Sequence, residues 1–472
     1  MKKPLKMALS ALVLATSSQL YADNLLDVYR QAKDSDPTFL ASEAGTLATS
    51  ERVNQSLATL LPQLNGTLGY SFSDDESTRT TTGTFARLDG TEIPIFAESA
   101  SIDDTTVQNY RVTLDQEIYN HASWLNLRQS EKRSLQSKVN HEGSKQDLII
   151  RVAEAYFNIL AAKDSVEFSE AETKAVSQEL AQTKQRFEVG LIAITDVHEA
   201  QSRYDRAVAN QIIAKNSLDN THELLLLITG RYHYDLLALR NEIPLRNPQP
   251  EDIKQWVSEA EANNIDIQAS KLSLDIAKQS ISISQADHLP TIALSASISD
   301  NDVDFNSPQN PRFNDDGDLI GFSNTTTNSG SPNTSIALNV QIPIYSGGRT
   351  NSQVKEAQNL YQQAAHNLES SRRLAVSTTR SSYLGVVANV GSVNAFKQAV
   401  ISSEKSLEAT QAGFEVGTRT IVDVLLQTQL LFDAKRQYSR ARYDYVLNTL
   451  KLKQATGLLN EEDLAKVNQL LR

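Results

Sequence analysis

The sequence predicts an α+β membrane protein in which one structural unit is written twice and membrane-crossing β-strands run on into very long α-helices. Three observations carry that prediction. The chain repeats itself with a period of about 227 residues. Proline is absent between Pro94 and Pro244 and again after Pro343, and because an interior proline costs a helix about 3 kcal/mol, both tracts can hold helices of exceptional length. Four segments of about ten residues alternate apolar with polar side chains, which suits a barrel strand with lipid on one side and water on the other.

The chain has 472 residues, with 45 Lys and Arg against 57 Asp and Glu, for a formal charge of −12. That balance argues against a nucleic-acid binder relying on a general basic surface. Cysteine is absent, which excludes disulfides, thiolate metal sites and cysteine nucleophiles. Lys2, Lys3 and Lys6 precede an apolar run from Met7 to Ala15, and Leu20-Tyr21-Ala22 offers a cleavage site. Charge, apolar run and small residue in that order predict a signal peptide over 1–22 and a mature chain beginning at Asp23. Elsewhere the longest apolar run is Leu224 to Ile228, far short of the roughly 18 residues a spanning helix needs. Such a chain enters a membrane only as β-strands.

The duplication is read from matched motifs. Phe187-Glu188-Val189-Gly190 recurs as Phe414-Glu415-Val416-Gly417, Asp196-Val197 as Asp423-Val424, and Thr229-Gly230 as Thr456-Gly457, all at one offset. Leu61-Pro62, Ala41-Ser42 and Ile118-Tyr119 match Leu289-Pro290, Ala269-Ser270 and Ile344-Tyr345 in nearly the same register. The period is too long for a solenoid. The expected organisation is a first repeat over 23–230, a connector over 231–255, a second repeat over 256–457 and a C-terminal segment over 458–472.

Within each repeat two long helices are expected, over 122–187 and 192–229 in the first and 349–412 and 418–455 in the second. Leu148, Val152, Ala155, Ile159, Ala162 and Val166 step alternately by four and three, and Val197, Ala200, Tyr204 and Ala207 continue that seam. This is the spacing of coiled-coil packing. A helix over 122–187 would span about 100 Å.

The strands are expected over 63–73, 107–119, 290–299 and 334–345. Leu64, Leu68, Tyr70 and Phe72 alternate with polar or small neighbours, as do Tyr110, Val112 and Leu114, then Ile292, Leu294 and Ile298, then Ile336, Leu338, Val340 and Ile342. A half-buried strand of a soluble sheet alternates in the same way. Between the strands, Asp74 to Thr106 and Asp300 to Thr334 are polar and aperiodic and are expected to be exposed loops. Asp300-Asn301-Asp302-Val303-Asp304 begins like a calcium loop, but Phe305 stands where the sharp turn needs Gly and Pro311 where a bidentate Glu belongs. A solvated acidic loop is the reading it supports. Ser346-Gly347-Gly348 is expected to turn strand into helix.

No catalytic constellation is visible. The histidines at positions 121, 141, 198, 222, 233, 288 and 366 show no ligand spacing, and no Walker loop, Gly-x-Gly-x-x-Gly or Gly-x-Ser-x-Gly run occurs. No enzyme, metal or cofactor is expected. Four strands cannot close a barrel, and open edges are not tolerated in lipid. Protomers must therefore share one wall. Two copies would give eight strands, packed with their own side chains, and three would give twelve with room for a bore.

Three motifs carry a family resemblance: Gln185 through Val197 (Gln-Arg-Phe-Glu-Val-Gly-Leu-Ile-Ala-Ile-Thr-Asp-Val), Ile344-Tyr345-Ser346-Gly347-Gly348, and Val416 through Leu425 (Val-Gly-Thr-Arg-Thr-Ile-Val-Asp-Val-Leu). Over essentially the whole mature chain the sequence resembles the TolC-type outer-membrane efflux channels, the outer-membrane factor family. The resemblance implies a homotrimer with a twelve-stranded barrel in the outer membrane, four strands per protomer, continuing into an α-helical barrel that crosses the periplasm. It further implies an exit channel for drugs, bile salts or secreted proteins, opened by an inner-membrane transporter of RND or ABC type and its periplasmic adaptor. The alternative is that the chain is itself a periplasmic adaptor with a helical hairpin, against which the four alternating strands and the duplication count.

Val189, Gly190 and Leu191, with Val416, Gly417 and Thr418, fall where a long helix must turn back, and Gly supplies that turn. The resemblance makes them adaptor-docking tips. It also places Thr195, Asp196, Phe414, Arg419 and Asp423 at a constricted periplasmic gate, with Arg419 forking onto Asp196 and the Thr195 hydroxyl across neighbouring helices. Here the chain departs from its relatives. Phe414 stands where Tyr is common and lacks the hydroxyl that would bond that Asp. Leu426 stands one turn beyond Asp423, where a second Asp is common, so Asp423 alone would supply the charged ring.

Overall fold

The structure, a computed structural model, describes residues 22–313 and 319–472, with the backbone alone over 77–86, 93–102, 307–313 and 319–325. Residues 1–21 of the expected leader lie outside the described residues. In chain order the elements are α1 (Leu25–Ser35), α2 (Pro37–Ala58), β1 (Gln63–Ala86), β2 (Glu92–Tyr119), α3 (His121–Glu188), α4 (Ile194–Thr229), α5 (Ile253–Asn263), α6 (Ile265–Ala286), β3 (Thr291–Phe313), β4 (Leu319–Gly330), β5 (Asn333–Gln341), α7 (Arg349–Glu415), α8 (Ile421–Ala455) and α9 (Glu461–Asn468). They fall into two units. One holds the sheet (Ala48–Leu135 and Leu272–Ala365); the other is helical (residues up to Leu47, Gln136–Lys271 and His366–Arg472).

In the sheet unit the strands are antiparallel in the order β1-β2-β3-β4, with β5 also paired to β3. β4 and β5 occupy the same edge at successive heights: Asp302 pairs with Gly330, and Ser299 pairs with Asn333. Ser331 and Pro332 separate them, and Pro has no N–H to give the ladder. At any level the described sheet is therefore four strands wide. Leu68 pairs with Tyr110, Leu64 with Leu114, Val112 with Ile298 and Leu294 with Leu338, which gathers the apolar residues on one face. That face is bare: Leu64 is 72% exposed, Leu68 79% and Ile336 76%. A continuous apolar face of this kind belongs against lipid.

Two expectations are corrected here. Asp74 to Thr106 is mostly paired strand, in unbroken register from Gln63 opposite Asp115 to Ala86 opposite Glu92. The acidic run Asp300 to Asp304 lies inside β3, and β4 pairs with its continuation. Apolar alternation marks only the stretch that meets lipid. Beyond it the backbone ladder continues without that alternation.

The helical unit is built on the predicted seam. Leu148, Val152, Ala155, Ile159 and Ala162 of α3 are all buried, and Tyr156 and Phe157 join them beside Tyr443 of α8. α3 has 68 residues and α7 has 67, each unbroken. Asp36, 2% exposed, pairs with Arg151. Asn24 caps α1, Asn460 and Asp463 form a capping box on α9, and Glu461 accepts from Tyr29 and Lys33 at 3.2 Å each. Asp23 and Leu471 are both stitched to the connector: Asp23 bridges Leu236 in parallel, and Leu239 bridges Leu471 antiparallel. Among the described residues no helix is long and apolar enough to cross a membrane.

Candidate functional site: the helical tips

The two hairpins of the helical unit, α3–α4 and α7–α8, turn back at matched positions. α3 ends at Glu188, and Gly190 takes a φ of 76°; α7 ends at Glu415, and Gly417 takes a φ of 82°. Gly190 N–H donates to the Phe187 carbonyl at 2.9 Å and Leu191 N–H to that of Arg186 at 2.9 Å, which satisfies carbonyls the helix would leave bare. At the second tip the Gly413 carbonyl accepts from the N–H groups of Thr418 (2.8 Å) and Arg419 (3.2 Å) and from the Thr418 hydroxyl (3.0 Å). Val189, Leu191 and Val416 project into solvent, between 71% and 76% exposed.

The duplicated tips are not alike. Gly413 holds the position that Arg186 holds in the first copy, and a Cβ there would meet Arg419 Cγ at 2.8 Å. Lacking a side chain, Gly413 lets Arg419 lie across the helix end. Arg186 instead places its guanidinium 4.3 Å from the centre of the Phe414 ring. Phe414 is 8% exposed and packs with Val176, Leu180, Ala200, Ile421, Val424 and Leu425, whereas its counterpart Phe187 is 39% exposed. This apolar cluster ties the two hairpins together.

The helix starts differ too. Thr420 caps α8 in a capping box with Asp423, while Ala193, its counterpart, caps α4 with no side-chain hydrogen bond. Asp423 is thereby held below the usual carboxylate range, first by the Thr420 N–H and then by its hydroxyl, with the charge of Arg419 adding. Asp196 has no such engagement. Among the described residues the hydrogen bonds of Asp196 and Arg419 are backbone ones, to the Ala193 and Gly413 carbonyls, and Arg419 does not pair with Asp196 or Thr195 within one chain. Thr195 is exposed in the first turn of α4, and Leu426 is 43% exposed on α8. No group of metal-binding side chains occurs among the described residues.

A sheet with a lipid-exposed apolar face and two long helical hairpins ending in exposed turns defines an outer-membrane channel protomer. The family model described as outer membrane efflux protein matches residues 28–231 and 256–458. The chain is 37% identical to the outer membrane protein TolC of Vibrio cholerae over 99% of this chain and 98% of the relative. It is 25% identical to the alkaline protease secretion protein AprF of Pseudomonas aeruginosa over 99% of this chain and 91% of that one. The CmeC outer membrane channel of Campylobacter jejuni shares the fold, with a TM-score of 0.71 at 14% identity over 95% of this chain and 90% of that one. The chain belongs to the outer membrane efflux protein family and resides in the outer membrane, extending into the periplasm. The adaptor alternative is not favoured.

Proposed function

We propose that three copies close their sheets into one twelve-stranded barrel, forming the exit channel of tripartite efflux and type I secretion systems. The observation that carries this is the sheet itself: β1 and the β4–β5 edge have no further strand beside them among the described residues, while the outer face is apolar. An open edge is not sustainable in lipid, and twelve strands leave a bore where eight would be filled. The exposed Val189, Leu191 and Val416, set on the Gly190 and Gly417 turns with Thr418, form the surface that receives a periplasmic adaptor and, through it, an RND or ABC transporter. Arg419 and Asp196, both unpaired within one chain, meet across a subunit boundary, with the Thr195 hydroxyl as second acceptor. Phe414 closes the seam from within, and Asp423 supplies the charged ring that Leu426 does not extend. Membership of an efflux family supports small molecules such as drugs or bile salts as cargo, and likeness to a protease secretion protein supports proteins.

Light scattering and planar-bilayer recording of detergent-purified protein test this reading. A trimer with single-channel conductance is expected; a monomer without conductance would overturn it. Deleting the protein and profiling drug, detergent and secreted-protein phenotypes together would separate the two kinds of cargo.

A further inference from the structure

Between Val176 and Leu180, inside the cluster that joins the two hairpins, α3 carries Glu179. Thr428 of α8 donates its hydroxyl to Glu179 Oε1 at 3.2 Å, and Gln411 of α7 adds a side-chain hydrogen bond. The other oxygen, Oε2, is buried without a hydrogen-bond partner. The Thr428 hydroxyl also has a second acceptor, the Val424 carbonyl at 3.0 Å, and it has only one proton to give. As a carboxylate, Glu179 competes for that proton and still leaves an oxygen bare. As a neutral acid it can donate to Thr428 Oγ1 while Thr428 donates to Val424, which ends the competition for that proton and leaves at Oε2 a bare neutral oxygen in place of a bare charged one.

Among the described residues no cation pairs with the carboxylate. Along the same stretch of α3, Glu172 is paired with Arg436 at 3.0 Å and Lys184 bonds Gln201 at 3.4 Å. On α4, Arg203 is held by Glu199 and Gln429, and His198 is exposed. On α7, Glu404 pairs with Lys435 of α8 and Glu408 with Lys405. On α8, Asp433 shares Arg436 and Asp423 is engaged by Thr420. The matching position of the second copy is Ser406, whose hydroxyl bonds Gln427 at 3.0 Å, so one copy alone carries the acid.

We infer that Glu179 is a positioning residue of the gate: as a neutral acid it fastens α3 to α8, and on losing its proton it loosens that seam, so the channel opens more readily as pH rises. The inference rests on the exit-channel reading above. Burial, the leading influence, pushes this carboxyl up to about 7 against the hydrogen bonds from Thr428 and Gln411. A carboxyl raised in the packed state stabilises that state below its packed pKa and ceases to do so as pH climbs through it. The transition therefore falls near neutrality, well above the range in which Asp423 titrates.

Bilayer recordings of the trimer between pH 5.5 and 8.5 decide the matter. Wild-type conductance should rise several-fold with a midpoint near pH 7, Asp423→Asn should keep that transition, and Glu179→Gln should abolish it and stay at the low-pH level throughout. A conducting wild-type channel with no transition between pH 6 and 8 would overturn the inference, as would a transition that survives in Glu179→Gln. Absence of conductance at every pH would instead fail the exit-channel reading beneath it.

Discussion

Asp423 Oδ2 accepts two hydrogen bonds from Thr420, one from its backbone N–H and one from its hydroxyl, each at 2.9 Å. The residue that would set ion selectivity therefore also starts helix α8, and one substitution can disturb both. Asp423→Asn keeps an acceptor for the cap and removes the charge. In planar bilayers it should lose cation selectivity and block by multivalent cations with trimer stability unchanged. Asp423→Ala should lose selectivity and also lower the thermal stability of the trimer, because the capping box goes with it. Equal stability of the two variants would show that the cap is idle.

Closure is expected to rest on two contacts of different kinds. Arg419→Ser should raise single-channel conductance by removing the cross-subunit link to Asp196 proposed above. Arg186→Gln should raise it less, since a partly exposed cation–π contact with Phe414 is worth about 0.5–2 kcal/mol. Phe414→Tyr keeps the ring beneath Arg186 and adds a hydroxyl, so the closed state should become harder to open. Wild-type conductance in Arg419→Ser would remove that residue from the gate.

At Gly190 and Gly417 an added Cβ would meet nothing within 4 Å, yet both backbones lie in the left-handed region. Substitution there is a conformational insult rather than a steric one, costing about 1–2 kcal/mol. Gly190→Val and Gly417→Val should leave trimer yield intact and abolish drug resistance in a deletion strain. Unchanged resistance in both would remove adaptor docking from these turns.

Leu338 is 63% exposed on the apolar face of β5, and Asn339 points to the other face. Leu338→Arg should reduce barrel assembly, read as loss of the heat-modifiable trimer on gels, since a lipid-facing Arg costs about 2–4 kcal/mol at the midplane. Asn339→Arg should assemble normally. Equal assembly would place lipid elsewhere.

Asp36 is nearly fully buried, and burial alone would raise its pKa. Arg151, aided by the N–H groups of Thr38 and Phe39, outweighs that and holds the carboxyl below its ordinary value. Its contribution to stability is thus present at neutral pH and lost as pH falls through the depressed folded value. Arg151→Ala strands the carboxylate and should destabilise the helical unit by about 3–5 kcal/mol. Arg151→Ala/Asp36→Asn should recover most of that loss in thermal denaturation at pH 7.

Much of the architecture is legible because its causes are local. The 4-3 spacing from Leu148 to Ala162 is a packing rule written along one helix, and Gly190 and Gly417 mark turns because a left-handed residue is needed there. The lipid-facing strands are legible for as long as lipid enforces alternation. Past Asp74 and Asp300 nothing apolar is required, so the continuing ladder leaves no trace in hydropathy. At the tips, the repeat makes Arg186 and Gly413 look interchangeable, and only the folded chain shows that one caps Phe414 while the other clears space for Arg419. Glu179 is hidden for a different reason. On a long amphipathic helix a carboxylate reads as solvated surface, and its burial depends on Thr428 and Gln411, more than 230 residues away in sequence.

The connector that receives Asp23 beside Leu236 also receives Leu471 beside Leu239. Asp23 and Leu471, 448 residues apart in sequence, are thus fastened to one short segment in the middle of the chain. Leu464, wholly buried in the fold, covers its share of the core from the C-terminal side of that segment. A chain lacking the segment that carries Leu464 and Leu471 would leave part of the apolar core of the helical unit uncovered, so the docking of that segment is what seals it.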